Sequence, residues 1–499
     1  MLIRLKVKGF KNLANVDVSF GPFTCIAGAN GVGKSNLFDA ITFLSALADR
    51  PLTEAAKAIR DDRNRSTDVR SLFLKHGDEH LGEMSFEAEM LVPSTGNDDL
   101  GQTAEASITF LRYALTLSYH RDGDGSSAER LEVKSEQLDR INIGDAPSHL
   151  LFPRNTTWLK SVVHGRRAGQ FLSTEGEGGD RHIKLHQDGR KGRAREVLAA
   201  TLPRTVLSST NALDSPTALL ARREMQSWRL LQLEPSSLRN SDSFNAPVHI
   251  GSDGSHLAAT LHHLARQEEA NGNGRHRTPS VYAKVANRLS SLVENVREVK
   301  VDEDRQRELY TLQVVGQDRS LHAARALSDG TLRFLALAIL EHDPGAQGLL
   351  CFEEPENGIH PERISSMLNI LRDLCVNTED AVSDENPMRQ VIVNTHSPAV
   401  VGLIDDDDLL IAEPHEVIVQ NDRCRAVSYR WLANTWRHKG FSEIPTVSRG
   451  SLSAYLNPFA FSDDADEESF QLASNLSRKR PRVKDRKDLN MMLGFMANE

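Results

Sequence analysis

Gly28, Gly33, Lys34 and Ser35 stand in the order G-x-x-x-x-G-K-S within "GANGVGKS" (28–35). The backbone N–H groups of such a turn, with the N-terminus of the helix that follows, cradle a phosphate chain. A lysine placed like Lys34 reaches the β- and γ-phosphates, and a serine placed like Ser35 offers its hydroxyl to Mg²⁺. Asn30, Gly31, Gly33 and Asn36 complete the expected contacts of this loop with a nucleotide. The competing reading is an ordinary glycine turn. An apolar run and a helical pattern flank the segment, as phosphate binding requires.

A second cluster lies in "LLCFEEPENGIHP" (349–361), where an apolar run ends in Glu353 and Glu354, with Glu356 one proline later. Carboxylates crowded at the end of a buried strand repel one another and are costly to desolvate, so a cation belongs beside them. Mg²⁺ prefers oxygen ligands. Glu353 is therefore expected to hold the metal through water, and Glu354 to orient and deprotonate the attacking water. Two solvated glutamates at a strand end are the plain alternative.

Two further sets of residues carry weaker signals. In "ALSDGTLRFLALAIL" (326–340), Ser328 and Gly330 begin a helical pattern and offer a hydroxyl, an N–H and a positive dipole end to an anion. A simple N-cap at Ser328 or Asp329 explains the same residues. In "VIVNTHSP" (391–398), His396 follows a buried strand, where an imidazole can hydrogen-bond a γ-phosphate or serve only as a structural histidine.

The elements that must position these residues are readable as patterns. Residues 2–8 and 15–20 alternate as strands, and "FTCIA" (23–27) suits a buried strand ahead of the glycine-rich turn. Leu37, Ile41, Leu44 and Ala48 recur at helical spacing after it. Segments 84–92, 107–120 and 129–138 read as strands of an antiparallel meander over about 80–138. Residues 139–296 are expected to be mostly helices and loops, and 297–304 with 308–315 a strand pair. From 327 the pattern returns to α/β, with a buried helix at 331–342, a strand at "GLLCF", a helix at 361–375 and a strand at 389–395.

The chain has 499 residues, the length of roughly two to four domains. Its net charge of −9 excludes a uniformly basic nucleic-acid coat, although local patches can still bind phosphate backbones. Four cysteines without a C-x-x-C pair argue against a cysteine zinc site and fit a reducing compartment. No apolar run is long enough to span a membrane, and the expectation is a cytoplasmic protein with no membrane partner.

Taken together, the phosphate loop, the LSDG segment, LLCFEE, the NGIH after it and the histidine past the last buried strand resemble one arrangement. It is that of ABC-type ATPases of the SMC/RecF and OLD (overcoming-lysogenization-defect) kind. "EEPENGIHP" is similar to a form found in the OLD-like "AAA family ATPase" group. The resemblance covers roughly residues 1–50 and 322–412. It implies an α/β fold: an ABC-type P-loop ATPase head with a large insertion, part β-meander and part helical. On that basis the head comprises 1–50 and 322–440, the insertion 51–321 and a tail 441–499.

The resemblance further implies ATP and Mg²⁺ as cofactors and a homodimer, or a higher oligomer, whose heads sandwich ATP. Ser328 and Gly330 would contact the γ-phosphate held by the other subunit. Asn357 to His360 would form the loop between subunits, and His396 would be the switch histidine. The chain departs from the pattern at Glu353, where aspartate is usual, and at LSDGT in place of LSGGQ. The usual Q-loop glutamine is not placed by the sequence.

OLD proteins carry a Toprim nuclease domain. "GLIDDDDLL" (402–410) offers acids, but no Glu-Gly motif precedes it after His396, so a separate effector, a nuclease or toxin, is the expected partner. "HGRR" (164–167), "RHIKLHQDGRKGRAR" (181–195) and "RKRPRVKDRK" (478–487) are candidates for nonspecific DNA contact or are solvated segments. The competing functions are an ATP-occupancy scaffold with very slow hydrolysis and the ATPase subunit of a transporter.

Overall fold

The computed structural model describes residues 1–59, 69–121, 129–165, 169–188, 194–271, 280–441 and 443–456. Its centre is a six-stranded sheet. In spatial order the strands are Arg229–Leu231, Gly348–Glu353, Arg389–Thr395, Phe23–Ala27, Leu409–Val419 and Asp422–Arg430. The first five run parallel and the last is antiparallel. Phe23–Ala27 and Arg389–Thr395 are buried along their whole length, as parallel strands covered on both faces must be. Cys25 and Cys351 are core residues here.

The register lines up the strand ends that matter. Glu353 pairs with Asn394, Asn394 with Ile26, and Thr395 with Ala27. Leu231 pairs with Phe352, which brings the next residue, Gln232, beside Glu353. Ligands of open α/β sheets bind outside the carboxyl ends of such strands.

The meander is present as the strands Glu83–Leu91, Phe110–Arg121 and Glu129–Arg140. It is part of something larger. Leu2–Phe10 pairs with Glu83–Leu91, and Leu13–Ser19 with Leu2–Phe10, so strands expected in the head join the meander in one eight-stranded sheet. The far edge adds Leu172–Glu175, His182–Leu185 and Arg195–Leu198. After 139 helices and loops outweigh strands, and short alternating strands such as "HIKL" also extend the exposed edge of the long sheet. One expectation is corrected by these pairings. The insertion is not separate from the head: Arg229–Leu231, inside 51–321, is an edge strand of the head sheet.

The strand pair Val296–Asp304 and Leu309–Gly316 forms as expected, and the helices Leu257–Asn271 and Val281–Ser290 pack beside it. The helix Asp329–His342 is buried from Leu332 to Leu340. Among the described residues no helix exceeds the 15 of Leu257–Asn271, so no long coiled-coil arm is present. None is long and apolar enough to cross a membrane. The basic stretches at 166–167, 189–193 and 478–487 lie outside the described residues, as does most of the tail.

Candidate nucleotide site

The glycine-rich turn sits between Phe23–Ala27 and the helix Lys34–Leu47. Gly33 has φ +110°, and a Cβ there would meet the Asn12 amide at 2.1 Å, so both backbone conformation and space demand glycine. Asn12 acts as a brace: its amide donates to Val32 O at 3.0 Å and accepts from Asn36 Nδ2 at 2.7 Å. Lys34 Nζ donates to the carbonyls of Gly28 (2.7 Å) and Ala29 (3.0 Å), which points it into the loop it is expected to serve. Burial lowers its pKa, against the pull of Glu354, Glu356 and Glu353.

A cleft of about 540 Å³ opens over this turn. Asn30, Gly31, Gly33, Lys34, Ser35 and Asn36 line one side, and Glu353, Glu354, Asn357 and Asn394 face them. Gln232, Glu234 and Arg333 complete the wall.

The two glutamates that end the strand Gly348–Glu353 are held differently. Glu353 accepts from Gln232 Nε2 on one oxygen and from Asn394 Nδ2 (3.4 Å) on the other. Glu354 has φ +45°, a left-handed conformation uncommon for a side chain of this kind and a form of strain found at active sites. Its N–H donates to Asn394, at 3.1 Å from both the carbonyl and the amide oxygen. One carboxylate oxygen lies 2.6 Å from His396 Nδ1, and the other accepts from Asn357 Nδ2 at 2.8 Å. Glu354 is thus aimed by partners on both oxygens. Glu356 turns away into the core, where it accepts from Thr395 Oγ1, and burial raises its pKa.

Ser328 and Gly330 do not line this cleft. Ser328 caps the helix Asp329–His342, accepting from Thr331 N at 3.2 Å, and remains exposed. Asp329 is paired with Arg239, which also donates to Leu327 O at 3.1 Å. A Cβ at Gly330 would come 3.2 Å from Gly358 O, so the LSDG turn packs on the loop that follows the glutamates.

The sequence left Gln232, Asn12, Asn394 and Arg333 unassigned. For Gln232 a signal existed: "WRLLQLEP" (228–235) is a short apolar strand followed by a polar residue and a proline, the pattern of a strand end at a site. For the others no local pattern distinguishes them.

Hard oxygen donors, the Ser35 hydroxyl and the Glu353 carboxylate, border the cleft, a donor set that suits Mg²⁺. No group of three or more His, Cys, Asp or Glu able to hold a metal occurs among the described residues. The acidic run near 405 is structural instead: Asp407 accepts from Trp436 N (3.2 Å) and, through its carbonyl, from Arg437.

Two family models match the two parts of the chain that build this cleft. Residues 4–89 match the one described as "AAA domain", and residues 199–402 the one described as "AAA domain, putative AbiEii toxin, Type IV TA system". Both parts of the chain that build the cleft thus match AAA-domain models, and the sheet order with the glycine-rich turn gives an α/β P-loop head. No curated protein sequence matches it.

Solved structures similar to it include the Smc head bound to the C-winged helix domain of ScpA, at 14% identity and TM-score 0.42, covering 87% of this chain and 98% of that one. The Smc head with an extended coiled coil from Pyrococcus furiosus, bound to the C-terminal domain of ScpA, has 13% identity and TM-score 0.42, covering 86% and 96%. The SMC head domain from Thermotoga maritima has 11% identity and TM-score 0.33, covering 86% and 98%. Strand order and site geometry, rather than these scores, define the fold.

Proposed function

We propose that the chain binds Mg²⁺–ATP in this cleft and hydrolyses it to ADP and phosphate as a dimeric switch. The observation that carries the proposal is Glu354, held by His396 and Asn357 on its two carboxylate oxygens and facing Lys34 and Ser35 across one cleft. Glu354 accepts the proton of the attacking water. His396 orients that carboxylate, and this reading also gives it a contact with the terminal phosphate. Lys34 leaves the loop carbonyls for the β- and γ-phosphates. Ser35 and Glu353 hold Mg²⁺, which supplies charge neutralisation on the phosphates. Gln232, bonded to Glu353, is the Q-loop glutamine of this reading.

Ser328 and Gly330 lie outside their own cleft, which suits a role on ATP held by a second copy. The resulting homodimer closes on ATP and opens after hydrolysis, gating a separately encoded effector or acting on DNA. The description of the matched model, a toxin of a type IV system, favours a setting in prokaryotic defence over DNA maintenance.

ATP turnover by the purified protein, with and without double-stranded DNA, tests this. Turnover is expected to fall by about 10²-fold or more in Glu354→Gln, which should accumulate as an ATP-bound dimer, and to vanish with binding in Lys34→Ala. Wild-type turnover that survives both substitutions would overturn the reading. Stimulation by DNA supports direct action on DNA, whereas indifference to it supports the effector.

A further inference from the structure

The cleft contains a cation that the mechanism above does not use. Arg333 stands on the helix Asp329–His342, about one and a half turns past Ser328, and lines the same wall as Glu353 and Glu354. It is only 7% exposed. Among the described residues its Nε has no hydrogen-bond partner. One terminal nitrogen reaches Glu354 O at 3.5 Å, the outer limit of a hydrogen bond.

Glu234, Asp329 and Glu356 attract it electrostatically, yet among the described residues no carboxylate forms an ion pair with it. A guanidinium offers five N–H donors, and a buried charge without partners is costly. Such a group is held in readiness for an anion that enters the cleft.

We propose that Arg333 binds the terminal phosphate of the nucleotide held by its own subunit. The proposal rests on reading the cleft as an ATP site. Lys34 and Ser35 mark where the phosphate chain enters the loop, and Glu354, which serves the attacking water, marks where it ends. Arg333 touches the backbone of Glu354, so it stands at the γ end, which ADP does not reach. The consequence concerns the partner. Arg333 and Ser328 share one buried helix, so capture of a γ-phosphate in one cleft pulls on the residue that faces the other subunit's ATP.

A purely structural role is distinguishable. If Arg333 only steadies the strained turn at Glu354, its loss lowers turnover without changing which nucleotide is preferred.

The test is equilibrium binding of Mg²⁺–ATP and Mg²⁺–ADP to the full chain carrying Glu354→Gln, with Arg333→Gln or Arg333→Lys added. Arg333→Gln is expected to weaken ATP binding on the order of tenfold or more, the worth of a charge-assisted hydrogen bond, with ADP binding within about twofold. Arg333→Lys keeps the charge but not the planar fork, and should fall between Arg333→Gln and the parent. It carries the test if Arg333→Gln does not fold. An unchanged ratio of ATP to ADP affinity overturns the proposal, whether both affinities fall equally or neither does. If the parent binds neither nucleotide, the ATP-site reading falls and the proposal with it. If the parent binds both and Lys34→Ala abolishes binding, that reading stands whatever Arg333 does.

Discussion

In the long antiparallel sheet, Glu136 is fully buried and satisfied: it accepts from Val206 N (2.7 Å), Leu207 N (2.9 Å) and Tyr113 Oη (3.0 Å). In the head, Glu356 is nearly as buried, but among the described residues one of its oxygens has no partner. Arg333, which lines the cleft, has an Nε in the same condition. A carboxylate that serves the fold exhausts its hydrogen-bonding capacity, because each unmet donor or acceptor costs stability. In the cleft proposed to receive a nucleotide, it is the Arg333 guanidinium that leaves capacity unspent. The strained backbone at Glu354 belongs to the same pattern.

Removing each carboxylate in turn puts this contrast under the greatest load. Glu136→Ala strands two buried N–H groups and a phenol, at about 1–3 kcal/mol apiece, and should destabilise the protein by roughly 3 kcal/mol or more. Turnover per folded molecule should not change. Glu356→Gln should cost about 1 kcal/mol or less, since among the described residues one of its oxygens has no partner to lose. Denaturant unfolding of the two variants measures the difference, and a reversed order would refute the distinction.

A smaller effect follows from pH. Burial raises the Glu136 pKa from an ordinary 4.5 to about 6, so the folded state binds its proton more tightly than the unfolded chain does. Stability from this group is fully present below the ordinary value and is lost as pH rises through about 6. The change amounts to roughly 2 kcal/mol at 1.4 kcal/mol per pH unit. The slope of stability between pH 4.5 and about 6 should flatten in Glu136→Gln. A slope unaltered by that substitution would remove Glu136 as its source.

The smallest expected effect tests the head from its other end. Asp329 puts a carboxylate in the segment proposed to meet the partner's phosphate, and Arg239 neutralises it. Arg239→Ala should weaken ATP-driven dimerisation of the Glu354→Gln protein several-fold, about 1 kcal/mol, and Asp329→Asn should restore it. Sedimentation at matched ATP concentrations reads the effect. Failure of the rescue would mean that Arg239 supports the turn by packing alone.

Much of the site is legible in the sequence. The phosphate loop, Glu353 with Glu354, and His396 each depend on a strand end and the turn after it, and periodicity with turn chemistry reveals both. The fold is legible only in part. The parallel strands announce themselves as apolar runs, but the edge strand Arg229–Leu231 is three residues long and too short to carry a period. The far strands of the long sheet escape notice for the same reason.

The sequence by itself determined the local chemistry, because a phosphate turn is made by consecutive backbone N–H groups and needs glycine where φ is positive, as at Gly33. Only the tertiary structure decided which side chains converge on that turn. Parallel strands are joined by long crossovers, so neighbours in the sheet lie far apart in the chain. Gln232 meets Glu353 across 121 positions, and His396 meets Glu354 across 42. Asn12 reaches the phosphate loop from a hairpin of the other sheet. The unpartnered nitrogen of Arg333 is likewise a fact of packing, set by what the folded chain fails to place beside it.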